Sequence, residues 1–388
     1  MIKFFSNQIN DSKLVKSADI LSFSVIFIFP VLTFFRLYPF TETLQNILNA
    51  SGHDDWGLYI KTALDIKHNG LLISEVSGDY DYPNGFFYSY FVAFCFMLFG
   101  EHPAPVYILQ SAMLGGTICL VYKTFKGKMN PLSALFFILT LIVFAFLDVH
   151  KYYSIRFLSE NLVIFIIALF FYYLLKALEN KSGKALLISA VFLGISILTR
   201  PNLFPVGIVV FIAICFFIFR GKISFQNLIL FSVIVISIIS LLALRNKLVS
   251  GNWTFFPVNS FGFFQNYFLH PNVLFEDIYK RFMFCIGFLQ VLYPSYHFRL
   301  HWTLMWIVYL IYLIMRLKQK QKLEAWEIVS HLFIFTYFGL LVFVIDVKLL
   351  VVYGFRYVIP ATFIVLPFVF IVIDKFIGNK LQKNSTEG

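Results

Sequence analysis

The chain has 388 residues, 60% hydrophobic and only 13% charged, with 51 Phe and 21 Tyr and a mean hydropathy of +0.81. A soluble domain carries about 25% charged and about 45–50% apolar residues, so the composition excludes that class and implies a multi-pass integral membrane protein. The net charge of +11 does not signal nucleic acid, because the Lys and Arg lie in loops between apolar runs, where cytoplasmic loops collect them.

In chain order, Lys3, Lys13 and Lys16 precede an apolar run, Ile20–Tyr38, that no small-residue cleavage site follows. It predicts a first transmembrane helix with a cytoplasmic N-terminus rather than a cleaved signal. A long segment, residues 39–105, comes next and is rich in acids. Spans are then predicted at Val106–Tyr122, Leu132–Leu147, Phe157–Leu175, Ala185–Leu198, Leu203–Phe219 and Phe225–Leu244. A second long segment, residues 245–301, leads to Trp302–Ile314, Ile328–Ile345 and Val358–Ile373. No repeat or soluble domain is visible, so residues 1–388 read as a single transmembrane domain.

Two shorter apolar stretches, Phe86–Phe99 and Phe282–Leu292, decide the topology. If neither spans, the loops Lys123–Lys128, Lys176–Lys184, Arg220–Lys222 and Arg316–Lys322 and the tail Lys375–Lys383 share the side of the N-terminus. The positive-inside rule places that side in the cytoplasm, and one extra crossing would break the agreement. The sequence therefore predicts an all-α polytopic fold of about ten transmembrane helices, both termini cytoplasmic, with the two short stretches as outer-face juxtamembrane helices that lie at the interface or re-enter. Cys95, Cys119, Cys215 and Cys285 stand alone in apolar surroundings and read as small hydrophobes.

Ionisable side chains at a membrane are costly to hold and mark function by default. In this topology they gather at the outer face: Asp54 and Asp55, then His150, Lys151, Arg156 and Glu160, then Arg200, Arg245, Lys247, Asp346, Lys348 and Arg356. Acids there suit a general base, and Arg and Lys suit a phosphate. Simpler roles compete. Asp54 and Asp55 are also good N-caps for a following helix, and Glu160 also gains from a helix dipole. Arg356 could snorkel to headgroups. Arg200, in Leu198-Thr199-Arg200-Pro201, reads as a cation fixed at a helix start. His53 and His150 lack ligand spacing and read as interfacial hydrogen-bonding residues, while Asp79-Tyr80-Asp81 looks like a divalent-metal motif, although two acids one residue apart are common in loops.

The residues His53-Asp54-Asp55-Trp56-Gly57-Leu58-Tyr59, with Ala63, resemble a first-loop signature of the GT-C superfamily. These are the polyprenyl-phosphate-dependent membrane glycosyltransferases, which include protein O-mannosyltransferases and aminoarabinose transferases. In that pattern, Asp-x-x-x-Tyr-x-x-x-Ala, the match falls on Asp55, Tyr59 and Ala63. Tyr82-Pro83-Asn84-Gly85, Ser159-Glu160-Asn161, the Gly194–Pro201 helix end and Arg245-Asn246 through Gly251 resemble later family segments in the same order. The chain departs from the pattern in having Asp-Asp for Asp-Glu, a single Pro83 and no soluble C-terminal domain.

The resemblance implies transfer of a sugar from a polyprenyl-phosphate carrier to a glycan, lipid or protein acceptor on the non-cytoplasmic face of a bacterial or archaeal cell membrane, within the cell envelope. It implies inversion at the anomeric carbon, with no metal and no cofactor beyond the lipid-linked donor. Asp55, with Asp54 as its neighbour, would be the base. Arg200, with Arg245 or Arg356, would hold the leaving phosphate, with Tyr59, Arg156 and Lys151 lining the substrate site. Glu160 would orient the acceptor or a basic residue. A flippase or transporter is the rival from another class, but it would carry charges near the midplane of broken helices. An O-antigen-type polymerase would lack the early acid-Tyr-Ala helix.

The topology has a direct test. Cysteines introduced singly at Lys126 and Lys318 are expected to resist a membrane-impermeant reagent applied from outside, and those at Ser77 and Asn266 to react. Labelling at 126 without labelling at 77 would overturn the assignment.

Overall fold

A bilayer offers no water to backbone N–H and C=O groups, so each apolar run must close its hydrogen bonds within itself as a helix. The computed structural model describes residues 11–37, 43–51, 55–70, 86–150, 153–200, 203–250, 253, 278–283, 300–319, 322–343 and 359–375. Among them there is no strand. In order the helices are α1 (Asp11–Leu37), α2 (Leu44–Ser51), α3 (Asp55–Asn69), α4 (Phe86–Phe99), α5 (Pro103–Phe125), α6 (Pro131–Phe144), α7 (Glu160–Asn180), α8 (Gly183–Thr199), α9 (Phe204–Phe219), α10 (Phe225–Ser250), α11 (Leu300–Gln319) and α12 (Ala325–Phe343). A further helix, α13, covers residues 359–375. Among the described residues, most of every predicted span falls on one of these helices. Among the described residues, α1, α5, α7 and α10 are long and apolar enough to cross a membrane alone.

The predicted juxtamembrane helix at Phe86–Phe99 is α4, with the same bounds. Its 14 residues extend about 21 Å, short of the roughly 30 Å hydrocarbon core. The second short stretch, Phe282–Leu292, lies outside the described residues beyond position 283.

The chain divides into two units. One comprises Phe23–Leu120 and Phe144–Gly262, the other Met1–Ser22, Val121–Val143 and Phe263–Gly388.

In the first of these, α7 is the inner helix. In its most apolar stretch 72% of the residues are buried, against 28% for α10. A helix apolar all round belongs inside, whereas α10 turns Val233, Ile236 and Leu241 outward, as suits lipid. α3 and α4 share an apolar core of their own. Tyr59, Ile60 and Ala63 of α3 pack with Tyr88, Val92 and Phe96 of α4, with Tyr107 of α5 and with Phe157 and Leu162. Gly100, at φ +80°, ends α4 in a conformation that favours glycine. Glu101 in that turn takes Lys67 at 2.7 Å and His68 at 2.9 Å from the last turn of α3. The Lys67 hydrogen bond holds the Glu101 carboxyl below the usual carboxylate range. This link is therefore present at neutral pH and is lost as pH falls through the lowered value.

Small residues let spans approach closely. A Cβ on Gly115 of α5 would lie 2.5 Å from the backbone oxygen of Val25 in α1, and one on Gly116 would lie 2.6 Å from the Phe165 ring of α7. On α1, Thr33 bonds both Ser111, at 2.5 Å, and His150 Nε2, at 2.8 Å. His150 closes the π-helical turn Ala145–His150 that continues α6.

In the other unit, Asn130 caps α6, accepting at Oδ1 from Ser133 N at 2.8 Å. The Asp374 carboxylate of α13 accepts from Asn130 N at 2.9 Å and from its side-chain amide. Lys126 pairs with Asp19 at 2.6 Å. The sequence counts Arg316 among the loop cations. The fold instead buries it against Glu327 at 2.5 Å, and Tyr312 donates to the same carboxylate.

The α1–α5 crossing yields a stability prediction. Gly115→Ala is expected to lower the melting temperature of the purified protein, at a cost of about 1–3 kcal/mol for an overpacked contact that only backbone movement relieves. Gly127→Ala, where nothing lies within 4 Å, is expected to change stability by less than about 0.5 kcal/mol.

Candidate active site

Of the candidate residues, Tyr59, Glu160 and Arg200 meet at one end of α7, in the unit formed by Phe23–Leu120 and Phe144–Gly262. Pro201 disfavours helical backbone at the residue before it, so α8 stops at Thr199 and Arg200 is extended, at φ −141° and ψ 100°. Arg200 therefore caps a helix end, not the helix start that the sequence predicts. A cation at a helix C-terminus is favoured by the dipole, as is a carboxylate in the first turn, where Glu160 sits on α7. The two helices pack side by side, which brings these opposite ends together. The Arg200 guanidinium pairs with the Glu160 carboxylate through Nη2, and Nε donates to Ser159 Oγ at 3.3 Å. Both side chains are buried, 10% and 2% exposed. Carboxylate and guanidinium in such a place need each other, because an uncompensated buried charge costs several kcal/mol.

Around this pair the polar groups are held in sequence. Asn161 Nδ2 donates to Ser154 Oγ at 2.9 Å. The Tyr88 hydroxyl donates to Gln110 Oε1 at 3.2 Å, and Gln110 Nε2 donates to the Arg156 carbonyl at 3.1 Å. Tyr88 thereby ties α4 to α5 and to the loop that delivers Glu160, and it lies within electrostatic reach of both Glu160 and Tyr59. Tyr59 packs edge-on against Tyr88 with ring centroids 4.8 Å apart. Asp55 opens α3 one turn before Tyr59. Arg156 is exposed and lies over the Trp56 ring at 5.8 Å.

Arg245, near the end of α10, is buried and reaches Asn246 Oδ1 at 3.3 Å. It also hydrogen-bonds Tyr90, which feels the charge of Asp65. Asp65 in turn accepts from Asn69 Nδ2 at 2.7 Å. The fold thus assembles Tyr59, Glu160 and Arg200, with Arg156 carried on the same loop as Glu160. Arg245 has its own contacts with α4. Asp54, Lys151 and Arg356 lie outside the described residues, as does the Asp79-Tyr80-Asp81 segment. Tyr88, Tyr90 and Gln110 were not singled out from the sequence. Of these only Gln110 left a signal, as an amide inside an otherwise apolar span.

Residues 83–244 match the family model of the dolichyl-phosphate-mannose-protein mannosyltransferases. A comparison with curated proteins gave no match. The matched stretch contains Arg156, Glu160 and Arg200 and ends one residue before Arg245. Asp55 and Tyr59 precede it.

The buried pair has a measurable consequence. Glu160→Gln is expected to destabilise the protein by about 3–5 kcal/mol, since it leaves the guanidinium buried without its counter-charge. The double variant Glu160→Leu/Arg200→Met is expected to recover most of that loss. A double-mutant cycle by thermal or denaturant unfolding reads the coupling.

Proposed function

From the premise that this chain is a membrane glycosyltransferase of the GT-C type, we propose that it transfers a sugar from a polyprenyl phosphate to a hydroxyl acceptor on the non-cytoplasmic face. The observation that carries this reading is the pairing of Glu160 with Arg200 beside the Tyr59 helix, at one end of one unit. A transporter would place such charges near the middle of its helices. The acceptor oxygen attacks the anomeric carbon, its proton passes to the Asp55 carboxylate, and the sugar–phosphate C–O bond breaks with inversion. The departing phosphate gains negative charge. Arg200 answers that charge as a cation fixed in advance by Glu160 and Ser159, with Arg245 or Arg356 as the second cation. Such preorganisation acts more in the transition state than in the bound state. Glu160 is a positioning residue in this scheme, and no step requires a metal.

Two substitutions test it on folded protein in single-turnover assays. Asp55→Asn is expected to remove nearly all transfer while leaving donor binding close to normal, because a base acts on the acceptor. Transfer near the normal rate in Asp55→Asn, with Asp54→Asn inactive, would move the base by one residue. Arg200→Ala is expected to lower the rate constant by about 10²-fold or more, with a smaller effect on donor binding. Arg200→Lys should recover part of this, since it keeps the charge without the fork. An unchanged rate in Arg200→Ala removes Arg200 from the site.

A further inference from the structure

The far end of α7 carries a cavity for which the sugar-transfer reading has no use. α7 has 21 residues, so its ends are about 30 Å apart, with Glu160 at one and this cavity at the other. The cavity measures about 300 Å³ and is lined by Lys181, Ser182, Gly183, Lys222, Ser224 and Asn227, the rest of its wall being apolar or glycine. Among the described residues no acidic side chain lines it.

The same turn, used twice, builds it. α7 ends with Lys181 left-handed at φ 51°, and Ser182 N bonds back to the Ala177 carbonyl at 3.0 Å. α9 ends with Gly221 at φ +64°, and Lys222 N bonds back to the Phe217 carbonyl at 2.9 Å. Each turn thus closes helix carbonyls and delivers a lysine to the cavity. A serine then starts the next helix. Ser182 Oγ accepts from Ala185 N at the head of α8, and Ser224 Oγ from Asn227 N at the head of α10, both at 3.3 Å. A Cβ on Gly183 would come within 2.7 Å of Asn227 Nδ2, so the start of α8 lies directly on that amide and fixes it at the wall. Two ammonium groups, an amide, two hydroxyls and no carboxylate, in a cavity at the lower end of ligand-pocket sizes, form an environment for a compact anion with several acceptor oxygens.

We propose that this cavity binds a phosphate ester, carried either by the headgroup of an anionic lipid or by a soluble phosphorylated molecule. Lys181 and Lys222 supply the opposing charge, and Asn227 and the serine hydroxyls take phosphate oxygens. The site lies at the end of α7 that loop charge assigns to the cytoplasm, so it is separate from the transferase site and does not depend on that activity.

The test is thermal unfolding of the full chain in detergent. It is titrated with inorganic phosphate against chloride at equal ionic strength, and with short-chain phosphatidylglycerol against phosphatidylcholine. Saturable stabilisation is expected with phosphatidylglycerol. If inorganic phosphate reproduces it, the source is a soluble phosphate; if only the lipid does, the source is a headgroup.

Lys181→Gly/Lys222→Gln removes both cations and places glycine where the backbone is left-handed, so the turn is kept. Ser224→Asp keeps a good N-cap while adding a negative charge to the cavity. Both are expected to fold and to weaken the titration midpoint by about tenfold or more, the scale of lost hydrogen bonds to charged groups. Stabilisation that survives in both variants, or none beyond the chloride and phosphatidylcholine controls, overturns the proposal.

Discussion

A charge that leaves water inside a helical membrane protein is costly to hold without a counter-charge, and among the described residues two buried pairs supply one. Glu160 and Arg200 are 40 residues apart in sequence and meet because α7 and α8 run antiparallel. Arg316 on α11 and Glu327 on α12 are 11 apart and meet because the two helices follow each other in the chain. Neither pair is strong evidence of net stability, since desolvation offsets most of the attraction. What such a pair does fix is register. Sliding α7 along α8 by one turn, about 5.4 Å, would strand both charges, so the pairing admits one alignment of the helices that bear the site.

With that register set, the precision of the site comes from groups that touch no charge. Tyr88 meets Tyr59 with its ring and Gln110 with its hydroxyl, so one side chain links α3, α4 and α5. Gln110 passes the constraint to the backbone at Arg156, four residues before Glu160. Buried amides and hydroxyls have few alternative partners in such surroundings, which makes a satisfied chain of them rigid. Rigidity of this kind is what a fixed cation needs if it is to favour developing charge without moving.

The spans were legible because lipid demands long apolar runs, and each predicted run falls on a helix. The candidate polar residues were legible as misfits beside such runs, Glu160 and Arg200 among them. Their pairing was not. It depends on which faces of α7 and α8 meet, and a continuous apolar run carries no period that marks a face. Arg316 shows the opposite failure: surrounded by Lys318, Lys320 and Lys322, it looks like one more solvated loop cation, and its partner Glu327 follows the turn. Arg200 was read as opening a helix because Pro201 favours a first helical turn. The stronger effect was the restriction that proline places on the residue before it, which made Arg200 the end of α8.

The same antiparallel order accounts for the opposite character of the two ends of α7. Wherever neighbouring helices alternate in direction, their dipoles largely cancel, so side chains decide the sign of each end. At Glu160 and Arg200 an acid lies on a helix start and a cation on a helix end, and the pair is close to neutral. At the other end Lys181 follows the last turn of α7 and Lys222 follows that of α9. Lys181 is exposed and Lys222 half-buried, so water solvates both and neither needs a carboxylate beside it. A positive cavity can persist there without its own counter-ion, and an anion entering it meets charges that folding has already placed. One end of α7 thus holds its charges in balance, and the other carries an excess of positive charge.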